Sequence, residues 1–300
     1  MIQRSFLTCI SLCAIFLTEA QTDSLRRQTP AGAGDTLLIG QANALYRAGR
    51  YFEASIAWER VLFENNDPLQ QVVAVMGKVQ CLKQEGLFDP AVSFLENWQA
   101  FPFPDSDRVR IHYQLILCTY LGGHFESVVS LVDRWSYEQG GGSPDPLLVV
   151  LKILSLNELQ RWKEAGVVYR SFIAERLHIY ERPGSSGEPP PDLYQQIPRL
   201  KSVSKAEALA TFIPGAGQFY AGKPGEAIFS ILVQAAGIYF AVLSFEQHYY
   251  VSAWLVGAAL FGAFHMGGVR RSEVLVQRYN RKKMIAFNEK VRGQLLSILH

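Results

Sequence analysis

Apolar residues recur at helical spacing along most of this chain, grouped into pairs of short stretches. Leu38, Ala42 and Leu45 fall at intervals of four and three, which puts them on one helix face. Gly49 then ends that helix, because glycine takes the left-handed conformation of a C-terminal cap without steric cost. Ala54, Trp58 and Val61 mark the next helix, and Asp67-Pro68 closes the unit, since the residue before proline is pushed out of helical geometry. The layout returns three times. Val75, Val79 and Leu82 precede Ala91, Leu95 and Trp98; Ile116 and Tyr120 precede Val128, Val132 and Trp135; Ile153 and Leu156 precede Ala165, Tyr169 and Phe172. The pattern predicts an all-α fold in which residues 35–180 form helical hairpins.

A signature travels with these pairs at a step of 37 residues. It reads Gly49-Tyr51-Ala54, Gly86-Phe88-Ala91, Gly123-Phe125-Val128 and Gln160-Trp162-Ala165, so the third copy replaces Ala with Val and the fourth replaces Gly with Gln. Four units follow: 35–70, 71–107, 108–144 and 145–180. Small residues such as Ala54 and Ala165 let helices approach, and large ones such as Trp58 and Tyr169 fill the groove between neighbours. The region resembles the tetratricopeptide repeat family, with Gly49, Tyr51, Ala54 and Trp58 on the motif and Pro68 slightly late. The step of 37 exceeds the family's usual length of about 34. Loops at Phe101–Pro104 and Gly140–Pro144 absorb the excess. The resemblance implies stacked hairpins that bind a protein or peptide.

Two charge-free runs follow, Ala227–Phe245 and Tyr249–Val269, of 19 and 21 residues. A bilayer core takes about 20 helical residues. Only Glu246, Gln247 and His248 separate the runs, so two such helices must be antiparallel, which predicts a C-terminal transmembrane hairpin. Small residues (Ala235, Ala236 and Gly237; Gly257, Ala258, Ala259, Gly262 and Ala263) favour close helix contact. Tyr239, Tyr249, Tyr250 and Trp254 suit aromatic belts near the ends.

Before the first span, Pro214-Gly215-Ala216-Gly217-Gln218-Phe219-Tyr220 stands between Lys205-Ala206 and Gly222-Lys223. The combination resembles bacterial membrane domains of uncharacterised function, and the resemblance implies a membrane module without assigning an activity. Physically it is a broken helix: Pro214 removes a backbone donor, Gly215 and Gly217 loosen the chain, and Gln218 is placed to satisfy freed carbonyls. Residues 206–222 are expected as a re-entrant or interfacial segment, with a third span as the alternative. Gly217 to Lys223 also spells most of a phosphate loop, but Pro224 stands where Ser or Thr is needed and no strand precedes it, which excludes nucleotide binding.

The chain ends fix the expected location. Arg4, the apolar run Phe6–Leu17 and the small Ala20 read as a signal peptide over 1–20, followed by an exposed segment over 21–34. Residues 181–204, rich in Pro, Gly and Ser, read as an exposed linker between repeats and membrane domain (205–269). The tail, 270–300, carries Arg270, Arg271, Arg278, Arg281, Lys282, Lys283, Lys290 and Arg292 against Glu273 and Glu289. Its apolar positions, Val274, Leu275, Met284, Ile285, Val291, Leu295 and Ile298, make it amphipathic, to lie on anionic lipid or to stand in solvent. Export places the repeats outside the cytoplasm, whereas the positive-inside rule places the tail within it.

The net charge of +2 gives no basic stripe for nucleic acid. Cys81 and Cys118 read as small buried hydrophobes. The histidines lack metal-ligand spacing; His265 lies inside the second span. No nucleophile elbow, zinc-protease motif or cofactor site is read from the sequence. The expectation is a non-enzymatic scaffold of the bacterial envelope, held in the inner membrane. The alternative is a small channel or transporter subunit, its polar path lined by the Pro214–Tyr220 segment and His265.

Overall fold

The left-handed turn expected at each repeat is present at all four positions. In the computed structural model, which describes residues 33–65, 67–98, 101, 103–139, 145–180 and 191–299, φ is +74° at Gly49, +73° at Gly86, +81° at Gly123 and +60° at Gln160. Each turn makes the same two bonds. The N–H of the left-handed residue reaches the carbonyl three residues back, as in Gly49 to Tyr46 at 3.0 Å and Gln160 to Asn157 at 3.0 Å. The next N–H reaches five back, as in Arg50 to Leu45 at 3.0 Å and Arg161 to Leu156 at 2.8 Å. This double bond satisfies carbonyls that a helix end leaves open. The expected signal peptide, nearly all of segment 21–34, the loop 140–144 and residues 181–190 lie outside the described residues.

The described residues are helical and contain no strand. Among the described residues, eight helices precede residue 181: α1 (Ala33–Arg47), α2 (Tyr51–Glu64), α3 (Pro68–Gln84), α4 (Phe88–Trp98), α5 (Asp105–Leu121), α6 (Phe125–Glu138), α7 (Pro146–Glu158) and α8 (Trp162–Tyr180). A 3-10 turn (Leu193–Gln196) leads to α9 (Val203–Phe212), α10 (Ala216–Ala221), α11 (Pro224–Glu246), α12 (Tyr250–Ser252), a π-helical turn (Ala253–Ala258) and α13 (Ala259–Leu299). Pro68 opens α3 rather than closing the first unit. A missing N–H is harmless in a first helical turn, and the Asp67 carboxylate caps it by accepting from Leu69 N at 3.2 Å. Asp145-Pro146 repeats the device at α7, with Leu147 N at 2.8 Å.

The chain forms two compact units, 1–124 and 125–300. In the first, α1 to α5 pack each on the next. Ala54, Ala91 and Leu95 are wholly buried and Trp58 nearly so. Trp58 lies flat against Gly77 of α3, where an added Cβ would sit 2.3 Å from its ring. Cys81 and Cys118 are buried and free.

In the second unit, α6 packs on α7 and α7 on α8. Their core takes in chain from far away. Leu193 and Tyr194, expected within an exposed linker, are buried against Trp162, Tyr169 and Phe172. So are Phe287, Val291 and Leu295 of the tail. Phe287 meets Trp162 edge-on at 5.8 Å and Tyr194 at 5.5 Å. The apolar face expected to meet lipid or solvent is therefore a protein contact over these positions; Met284 and Ile298 flank it, while Ile285 remains exposed.

α11 and the helix beyond it run antiparallel: Gly257 faces Ala241, Gly268 approaches Ser230, and Arg271 pairs with Glu226. Among the described residues α11 alone, with 23 residues, is a helix long and apolar enough to cross a membrane. The second apolar run is divided between α12, the π turn and the start of α13, whose 41 residues carry it on into the basic tail. Residues 206–222 are not one helix: α9 stops at Phe212, and α10 starts after Gly215, whose φ is +83°.

Candidate functional site

The Pro214–Lys223 segment forms a tight knot against α13. Pro214 and Gly215 turn the chain between α9 and α10; a Cβ on Gly215 would meet Ile231 at 2.8 Å and the Ala227 carbonyl at 2.9 Å. A Cβ on Gly217 would sit 2.4 Å from Ser272 Oγ and 2.6 Å from the Ala206 carbonyl, so glycine lets α9, α10 and α13 meet. Tyr220 ties the knot to the chain before α9: its hydroxyl accepts from Ser202 N at 3.1 Å, and its carbonyl accepts from Lys201 Nζ at 2.7 Å. Gly222, φ +83°, ends α10 with the same double bond as the repeats, through its own N–H and that of Lys223. Asn280 clamps Lys201 from α13, its Oδ1 accepting from Lys201 N and its Nδ2 donating to Lys201 O, both at 2.8 Å.

Gln218 differs from its neighbours in the motif. Its side chain is 2% exposed, and Nε2 donates to the Gly268 carbonyl at 3.2 Å, a carbonyl that also accepts from Ser272 Oγ at 2.8 Å. Its Oε1 is buried and has no hydrogen-bond partner. Gln218 lines a cleft of about 520 Å³ with Phe229, Ser230, Phe264, Gly267 and Arg271. Ser230 Oγ accepts from Gln234 Nε2 at 3.0 Å within the same polar patch. At the cleft's edge Arg271 grips Glu226 with two bonds, Nε at 2.7 Å and Nη2 at 3.1 Å. Gly268 leaves room for Gln218: a Cβ there would stand 3.3 Å from Nε2. Nothing lies within 4 Å of a Cβ built on Gly267.

No protein-family model, curated protein or solved structure matches this chain. The chemistry of the site rests on its own residues. Among the described residues no cluster of His, Cys, Asp or Glu is arranged to hold a metal.

The repeat signature is structural throughout. Tyr51, Phe88, Phe125 and Trp162 begin the second helix of each pair, and Ala54, Ala91, Val128 and Ala165 are 0% exposed. Trp58 and Tyr169 fill the interior of their units. Burial pushes the Cys81 and Cys118 thiols up to about 11, which leaves both protonated and unreactive at neutral pH. His265 stacks on Phe261 at 5.6 Å, and its Nδ1 is buried without a partner. Sequence reasoning singled out Gln218 but missed Ser230, Gly267, Gly268 and Arg271, which lie on other helices and have no fixed spacing from it.

Proposed function

We propose that this chain is a membrane-anchored scaffold of the bacterial envelope: tetratricopeptide-like repeats hold a protein or peptide partner, and a two-span hairpin fixes them to the inner membrane. The observation that carries the reading is the return of one capped turn, bond for bond, at Gly49, Gly86, Gly123 and Gln160. Stacked hairpins of this kind present long surfaces and act chiefly by binding. One such surface is unpartnered here. Phe52, Ile56 and Phe63 line one face of α2 at 64%, 53% and 90% exposure.

The anchor rests on α11, whose Phe229, Leu232, Tyr239 and Phe245 are more than 60% uncovered by protein. A soluble core helix would bury them. The signal-like leader assigns the repeats to the extracytoplasmic face, and the tail goes with them because Phe287 and Leu295 pack on α7 and α8. This reading sets the packing of the tail on α7 and α8 above the charge bias of its cations. The channel alternative draws on Gln218 and on His265, whose Nδ1 is buried without a partner, since Ile231 and Ser272 close over Gly215 and Gly217.

Deleting residues 35–180 would also strip Phe287 and Tyr194 of their core, so the test is a surface change. Photo-crosslinking from α2 in the full-length protein should capture a defined partner. The double variant F52S/I56S should lose it while keeping the wild-type melting temperature. Capture undiminished by that variant defeats the reading.

A further inference from the structure

We propose that the cleft beside Gln218 holds one molecule of an anionic glycerophospholipid whose headgroup carries free hydroxyls. Four observations lead there. A buried acceptor without a donor requires an explanation, and Gln218, whose Oε1 has none, is among the residues that line the cleft. The ligand therefore brings an O–H or N–H.

The edge of the cleft is cationic. Lys223 and Arg278, besides Arg271, act electrostatically on Glu226, so three positive groups share one carboxylate. Arg271 commits Nε and Nη2 to that carboxylate, and its Nη1 has no partner among the described residues. A phosphate suits this arrangement, as guanidinium and phosphate pair through charge-assisted bonds.

The remaining wall is apolar and continuous with the uncovered side of α11. Phe229 and Phe264 are 63% and 41% exposed, so both rings are open to an apolar chain. A donor, an anionic head and an acyl chain together describe a phosphatidylglycerol-like lipid.

The glycine pair divides the labour. Gly268 admits Gln218, while Gly267 lines the cleft and a Cβ built on it would meet nothing within 4 Å. Both sit inside an uninterrupted helix, where glycine has no conformational advantage. A side chain at 267 would start from open space in the cleft wall, where its Cβ strikes nothing.

This goes beyond the scaffold reading and shares with it only the placement of α11 in lipid, which is scored separately by membrane fractionation. The test is native mass spectrometry of the full chain in detergent, titrated with phosphatidylglycerol, with phosphatidylcholine of the same chains, and with glycerol 3-phosphate. One saturable phosphatidylglycerol adduct is expected, with at least tenfold weaker phosphatidylcholine binding and no retained glycerol phosphate. G267L should weaken the adduct at least tenfold with helicity unchanged, and Q218L should weaken it as well. Equal binding of the two lipids, glycerol phosphate binding as well as the lipid, or wild-type binding by G267L would overturn the proposal.

Discussion

Arg161 reaches Glu126, Nη1 to Oε2 at 2.9 Å, at the place where one repeat earlier His124 Nε2 meets Asp89 Oδ1 at 2.8 Å. Both partners are displaced by the same 37-residue step. A second pair recurs two steps apart: Lys78 with Glu59 at 3.2 Å, and Lys152 with Asp133. Most of these side chains are exposed, and exposed ion pairs contribute little to stability. They record the register of the repeats more than they hold it.

The fourth repeat carries the strain of its substitution. Gln160 occupies a left-handed turn, φ +60°, that glycine fills in the other three. Q160G should raise stability by about 1 kcal/mol, and G123A should lower it by about 1–2 kcal/mol, both read by urea unfolding.

Gly77 is the reason Trp58 lies flat between α2 and α3. G77A would drive a methyl group into the indole. Overpacking of that kind costs about 1–3 kcal/mol. The loss should appear in thermal unfolding, together with a change in the near-UV signal of the tryptophans.

The tail is core rather than a lipid-binding appendage. F287A should cost about 3–5 kcal/mol and L295A about 2–5 kcal/mol, the range for large-to-small changes in packed interiors. Limited proteolysis should then open α7 and α8. Removal of anionic lipid should leave the wild-type cleavage pattern unchanged.

Glu158 gives the second unit a pH dependence. Burial holds its carboxyl above the ordinary 4.5, against a bond from Asn288 Nδ2 at 3.2 Å and the field of Arg292. The folded pKa exceeds the unfolded one, so its stabilising share is full below 4.5 and is lost as pH rises through the raised value. E158Q should flatten that slope and raise the melting temperature at pH 7, read by circular dichroism from pH 4 to 8.

The helical pairs were legible because their signals are local. A glycine at three of the four turns, an alanine or valine five residues on and a large apolar residue after it state their geometry without reference to the rest of the chain. The tail was not legible: Val291 and Leu295 among cations look the same whether the face meets lipid, water or α8. Leu193 and Tyr194 were masked by a proline-rich composition that describes an average, whereas burial is decided by two side chains. The second apolar run advertised a spanning length, but charge-free length says nothing of the π turn that divides it. In the cleft, Gln218 was marked by its motif. Its partners Ser230, Gly268 and Ser272 come together only when α10, α11 and α13 fold.

The anchored-scaffold account turns on a chain that enters the bilayer at α11 and returns to the repeats it left. Single cysteines at the exposed positions Lys163, Gln247 and Lys290, labelled with a membrane-impermeant thiol reagent in cells and in inverted vesicles, test this directly. The account predicts that 163 and 290 react from one side and 247 from the other. Labelling of 163 and 290 from opposite sides, or of all three from the same side, would contradict it.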